Sequence, residues 1–176
     1  MNRNTYCDIC ENEIVHQSTA YSLISSKEHF VDDAYTVEDS TGHLISCWDC
    51  YIKYSICSNV NSNLYKRLSL IKTDIHDDNV QVMCSHYECY QCSMKIADGS
   101  NIFTVSHSIE KWINQSSVQP IDGKLELFVS SVEPIDVTLE LVLCSNCCEE
   151  VKLTDLLKGV VNNLLSNLKR KRMKLV

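Results

Sequence analysis

Four cysteine pairs with two residues between their members constrain this chain more than anything else in it: Cys7/Cys10, Cys47/Cys50, Cys89/Cys92 and Cys144/Cys147. A two-residue spacer lets a tight turn aim both sulfurs at one ion, and two such pairs complete a tetrahedral four-thiolate site. The order runs twice: a pair, a strand-rich stretch, a second pair, a helical stretch. This predicts two structural Zn²⁺ ions, one held by Cys7, Cys10, Cys47 and Cys50, the other by Cys89, Cys92, Cys144 and Cys147. The paired motifs enclose residues 11–46 in the first half and 93–143 in the second. The extra length falls around residues 114–123, where a loop insertion costs little, so the halves read as a diverged internal duplication.

The expected fold class is α+β, as two zinc-stabilised units spanning 1–75 and 80–176. Each is read as a zinc knuckle, a β-hairpin or small antiparallel sheet, and a C-terminal helix. Units this small have modest cores, which metal commonly supplements. The 11 cysteines are an odd number, and no apolar signal segment precedes Cys7. Both facts favour metal over a disulfide framework and lead to the expectation of a reducing, cytoplasmic compartment.

In the first half, Ala20 to Ser25 suits a strand, and Asp32-Asp33 marks a turn. Tyr35 to Val37 and His43 to Ile45 flank Asp39-Ser40-Thr41-Gly42, which reads as a hairpin turn. From Trp48 the apolar spacing becomes helical, through Tyr51, Ile52 and Ile56 to Leu64, Leu68 and Ile71. The polar run Asn59 to Asn63 predicts a break between two helical pieces. The boundary is expected within residues 74–79, followed by a short strand at 80–83.

In the second half, Ile102 to Val105 and Ile109 to Ile113 read as strands, and residues 114–123, with Pro120, as a polar loop. Leu125 to Val129 and Val137 to Leu143 read as a hairpin around Glu133-Pro134. Leu153, Leu156, Leu157, Val160, Val161, Leu164, Leu165 and Leu168 then give the best amphipathic helix of the chain. The stripe is long enough to leave surplus apolar face for another element, another copy or a partner.

The cysteine arrangement resembles the treble-clef and zinc-ribbon families, in which a zinc knuckle is followed by a hairpin and a second ligand pair, in treble clefs at a helix start. The pairs 7/10 with 47/50 and 89/92 with 144/147 carry this resemblance, which covers most of both halves. Glu11 and Ser93 stand where such knuckles commonly have glycine. A helix start suits thiolates because its unpaired amides and dipole stabilise negative sulfur. Cys148 is the alternative to Cys147 as a ligand, and Cys84 with His86 the alternative source of one. Cys57 and Cys84 otherwise read as small buried residues. Iron-sulfur ligation by the same thiolates is the competing metal reading, which the paired spacing disfavours.

Four thiolates leave no open coordination position, which hydrolytic zinc needs. The chain has no H-E-x-x-H and no phosphate-binding glycine motif, and His86-Tyr87-Glu88 lacks the chain that separates H-x-E from P-C-x-x-C in zinc deaminases. The expectation is therefore a non-enzymatic, zinc-stabilised adaptor or regulator that binds a protein partner. Such a factor suits a cell's own machinery, or a virus or phage acting on its host.

The formal charge is -7, yet Lys169, Arg170, Lys171, Arg172 and Lys174 crowd the end, so the body alone stands at -12. Nucleic-acid binding through that tail is the alternative function. No apolar run approaches the roughly 20 residues of a membrane span. Self-association through the last helix is the remaining partner expectation.

Overall fold

The computed structural model describes residues 5–15, 17–31, 34–71, 88–96, 99–113, 118–121, 124–127 and 131–173. The expected boundary at 74–79, the strand at 80–83, and the alternative ligands Cys84 and His86 lie outside them. The fold is mixed α and β, as expected. Strands β1 (Thr19–Val31), β2 (Ala34–Cys47), β3 (Asn101–Ile113) and β6 (Ser131–Cys144) form one antiparallel sheet in the order β2-β1-β3-β6. Strands β4 (Val118–Ile121) and β5 (Lys124–Leu127) form a separate two-stranded ribbon. Helices α1 (Trp48–Lys53) and α2 (Ile56–Leu68) follow β2, and α3 (Ser145–Val151) and α4 (Leu153–Met173) follow β6.

The two halves meet at the centre of the sheet, where β1 runs antiparallel to β3 from Thr19 opposite Lys111 to His29 opposite Asn101. Counted from Cys7 and Cys89, corresponding positions fall under a local two-fold symmetry. Ile24 faces its own counterpart, Ser106, and Ala20 faces Glu110 just as Ile102 faces Glu28. The symmetry extends to buried side chains. The Ser22 hydroxyl donates to Glu110 at 3.0 Å, and the Thr104 hydroxyl donates to Glu28 at 2.8 Å.

Three sequence expectations are corrected here, and all three concern residues that usually end an element. Asp39 to Gly42 lie inside β2, and the chain reverses between Val31 and Ala34, which pair. Likewise Pro134 lies inside β6, opposite Glu110, and residues 124–127 pair with β4 rather than with 137–143. Part of the expected loop at 114–123 is therefore strand. In both long outer strands the polar residues sit beside β-bulges: His43 and Glu38 are the extra residues in β2, and Glu140 and Ile135 in β6. A bulge bends and twists a strand while pairing continues, and an edge position tolerates a proline that cannot donate.

The helical break is also displaced. It falls at Ser55, which takes a left-handed conformation (φ 46°), and α2 runs unbroken through Asn59 to Asn63. Val60 and Leu64 are buried, so the helical period continues beneath the asparagines. The Asn59 and Asn63 amides donate to the Tyr54 and Asn59 carbonyls at 2.7 Å, which makes these side chains compatible with helix.

The core lies between the helices and one sheet face, with Tyr21, Leu23, Val105, Leu141 and Leu143 from strands and Ile56, Val60, Leu64, Leu157 and Val160 from helices all buried. The leucine and valine stripe of α4 is buried at all its positions except the half-buried Leu165. Helix α4 packs on α2 and β2, both of the first half, which accounts for the face its own half leaves over. At that crossing the Arg67 guanidinium reaches the Gly159 carbonyl at 3.4 Å, occupying space that a β-carbon at Gly159 would enter. On the opposite face, Ile24, Val37, Ile102, Val137 and Leu139 line an open groove with Glu28 at its floor.

Candidate metal centres

Each half builds its cysteine group from the same local parts. The amide of Cys7 donates to the Asn12 carbonyl at 2.9 Å and that of Glu11 to Cys7 at 2.8 Å. Cys89 with Met94, and Ser93 with Cys89, repeat those bonds at 2.9 and 2.8 Å. The turn needs a left-handed residue directly after each pair, and Glu11 (φ 64°) and Ser93 (φ 58°) take that conformation although neither is glycine. Short bridges between Tyr6 and Glu13 and between Glu88 and Lys95 close the knuckles. The amide of Asp8 donates to Ile45 at 3.0 Å and that of Tyr90 to Val142 at 2.9 Å, which ties each knuckle to the strand bearing the second pair.

Cys47 and Cys144 are the extended caps of α1 and α3, which places Cys50 and Cys147 in first helical turns with unpaired amides nearby. Eight residues beyond each cap the chain turns left-handed, at Ser55 (φ 46°) and Lys152 (φ 49°), and a second helix starts. The bulges fall at matching places too, at His43 and Glu140, each four residues before its capping cysteine.

The result is two groups, Cys7/Cys10/Cys47/Cys50 and Cys89/Cys92/Cys144/Cys147, with all sulfurs of each within 4.8 Å of one another. The Cys10 and Cys47 sulfurs are 3.7 Å apart, and those of Cys92 and Cys144 are 4.0 Å apart. A disulfide needs about 2.05 Å. Tetrahedral thiolates on zinc, with Zn–S near 2.3 Å, stand about 3.8 Å apart. The donor sets therefore fit a metal ion.

The electrostatics point the same way. Burial opposes ionisation of Cys7, but amides of Cys10, Cys47 and Ile9 outweigh it and hold the thiol below the ordinary cysteine range. Around Cys89 the amides of Cys144, Cys92 and Gln91 do the same against the same burial. Their neighbours are pushed up, Cys50 and Cys147 by burial and then by the other sulfurs, and Cys144 by burial to about 11. Ionising all four thiols of a group in so small a volume requires a cation, which a divalent ion would supply.

Cys148 stands apart from the second group, and burial raises its thiol to about 11. Cys57 departs from the expected small buried residue: it is half-buried in a polar cluster with His107 and Glu140. Sequence gave no signal for that cluster, whose members are far apart in the chain and meet only because β3 and β6 carry the second half against α2.

Comparison with protein-family models, with curated proteins and with solved structures finds no match to this chain.

Proposed function

We propose that this chain is a non-enzymatic, zinc-stabilised interaction module. The observation that carries the reading is the pair of four-cysteine groups, each joining a knuckle to a strand end and helix start. All four donors of each group are thiols, so zinc bound there has no position for substrate or water, and the ions serve folding. In this reading Cys7, Cys10, Cys47, Cys50, Cys89, Cys92, Cys144 and Cys147 are the ligands. The segments 1–75 and 80–176 are treble-clef-like repeat units, descended from an internal duplication, that share one sheet. The repeated bulges, left-handed residues and buried hydroxyl–glutamate pairs support this.

The contact surface is the sheet face away from the helices. There Val37 on β2 is 57% exposed, and Val137 and Leu139 on β6 are 57% and 47% exposed, so the two edge strands line one groove from opposite sides. Apolar residues grouped on an open face favour a protein partner, and the acidic body disfavours nucleic acid there. The protein works in a reducing compartment, where thiolates stay available to zinc. A second reading uses the end of α4, where Lys169, Arg170 and Lys171 are exposed and offer phosphate contacts.

Affinity purification of three forms separates the two readings: the intact chain, Val137→Glu with Leu139→Glu, and a chain lacking residues 169–176. Recovery of one protein partner by the first and third forms but not the second supports the module. A nucleic-acid complex that the tail deletion abolishes supports the second reading. Metal content is measured in all three to exclude loss of fold.

A further inference from the structure

The polar cluster under α2 is built from three elements. Cys57 lies in the first turn of α2, His107 on β3 and Glu140 at a bulge of β6, and one donor atom from each lies within 4.8 Å of the others. The site is enclosed, with the His107 side chain 5% and that of Glu140 17% exposed. Cys57 and Asn61, one helical turn apart, project to the same side of α2. The bulge puts Glu140 on the helix side of the sheet, because it is the extra residue between Leu141 and Leu139, which pair with Val105 and Ser106.

We propose that Cys57 Sγ, His107 Nε2 and the Glu140 carboxylate hold a third divalent ion, Zn²⁺, between the two halves. The donor set is one thiolate, one imidazole and one carboxylate, each an ordinary zinc ligand. It also balances charge: thiolate and carboxylate neutralise the ion, whereas each four-thiolate site carries a formal -2. A neutral assembly is the kind that burial penalises least.

The surroundings are those of a metal-binding histidine. The Tyr21 hydroxyl lies 2.5 Å from His107 Nδ1, and the Tyr65 hydroxyl donates to Glu140, at 3.0 Å to its carbonyl and 3.3 Å to its carboxylate. Such outer partners fix the ring and the carboxylate in place. Without metal, Nε2–H donates to Asn61 Oδ1 at 2.6 Å, and Nε2 lies 3.7 Å from Glu140. On binding, the Cys57 thiol releases its proton to solvent, and the neutral imidazole carries its proton on Nδ1, whose N–H donates a hydrogen bond to the Tyr21 hydroxyl oxygen. Asn61 Oδ1, which stands 2.6 Å from Nε2, turns aside to admit the ion.

The corresponding place in the other half lacks this donor set. Counting from the same cysteines, Thr154 stands for Cys57, Lys158 for Asn61, Ser25 for His107 and His43 for Glu140. Ser25 and His43 bond to each other at 2.8 Å, and Lys158 supplies a fixed positive charge near His43. One half thus carries its own cation where the other gathers ligands for one.

The test is metal content of the full chain after equilibration with excess Zn²⁺ and removal of unbound ion, with far-ultraviolet circular dichroism on each sample. The wild type is expected to hold three ions, and Cys57→Ala and His107→Gln two each, with unchanged spectra. Tyr21→Phe should retain the third ion but with roughly 10 to 100-fold weaker affinity against a competing chelator. Should Cys57→Ala or His107→Gln disturb the fold, Glu140→Gln, which keeps an acceptor for Tyr65, gives the same two-against-three comparison. Two ions in the wild type, or three in folded Cys57→Ala and His107→Gln, would overturn the proposal.

Discussion

The first and second halves use one backbone frame for two different interiors. Knuckle, bulges, helix start and left-handed turn recur at matching positions, although few of the residues there are the same. Beneath the helices the halves diverge. Helix α2 sends Cys57, Asn61 and Tyr65 toward polar partners on β3 and β6, while the longer α4 buries a nearly continuous leucine and valine stripe. The difference teaches that the backbone is dictated near the cysteines, where hydrogen bonds and sulfur geometry leave little freedom, whereas the interior beneath the helices is not.

Loss of one cysteine should do the most damage and do it equally in both halves. Cys10→Ser or Cys92→Ser removes binding free energy of about 10 kcal/mol or more at a structural site. Because β1 and β3 pair along their length, thermal unfolding of either variant should show both halves melting together at a lower temperature. Retention of one intact half, read by limited proteolysis, would break the symmetry that the shared sheet implies.

Truncating the matched core residues Val60 and Leu157 comes next. Leu157→Ala should cost about 2 to 5 kcal/mol in chemical denaturation, and Val60→Ala somewhat less because fewer atoms are removed. A negligible loss at either would mean that its helix does not share the common core.

Smaller still, and matched, should be Ser22→Ala and Thr104→Val, each removing one hydroxyl from a buried glutamate. The expected loss is about 1.5 to 3 kcal/mol per site, the range for hydrogen bonds to charged groups. Unequal losses would show that the two carboxylates are solvated differently.

The smallest effect is expected at Gly159→Ala. A helix gains about 1 kcal/mol from that change, but the new methyl must displace the Arg67 guanidinium, which lies 2.7 Å from its position. The net change in denaturation midpoint should be slight. A large loss would mean that Arg67 cannot move.

Much of the architecture was legible because cysteine spacing is a local signal with few geometric solutions. The helix over 153–168 was equally clear, since its apolar period is long and uninterrupted. What misled was the meaning of turn-forming residues. Asp39 to Gly42 and Glu133-Pro134 have the chemistry of hairpin turns, yet the long edge strands use them beside bulges, where pairing with the neighbouring strand overrides local preference. Asn59 to Asn63 misled in the same way, because their side chains bond to helix carbonyls or to His107 instead of ending the helix. The cluster of Cys57, His107 and Glu140 had no local signature, because only the pairing of β1 with β3 brings its members together.

The most direct test of the account is X-ray absorption at the zinc edge, combined with elemental analysis, on the Cys57→Ala variant, which lacks the thiol of the central cluster. The account predicts two zinc ions per chain, each in a shell of four sulfurs near 2.3 Å, and one ion when Cys10→Ser is added. A shell containing nitrogen or oxygen, or fewer than two ions in protein prepared without chelator, would contradict it.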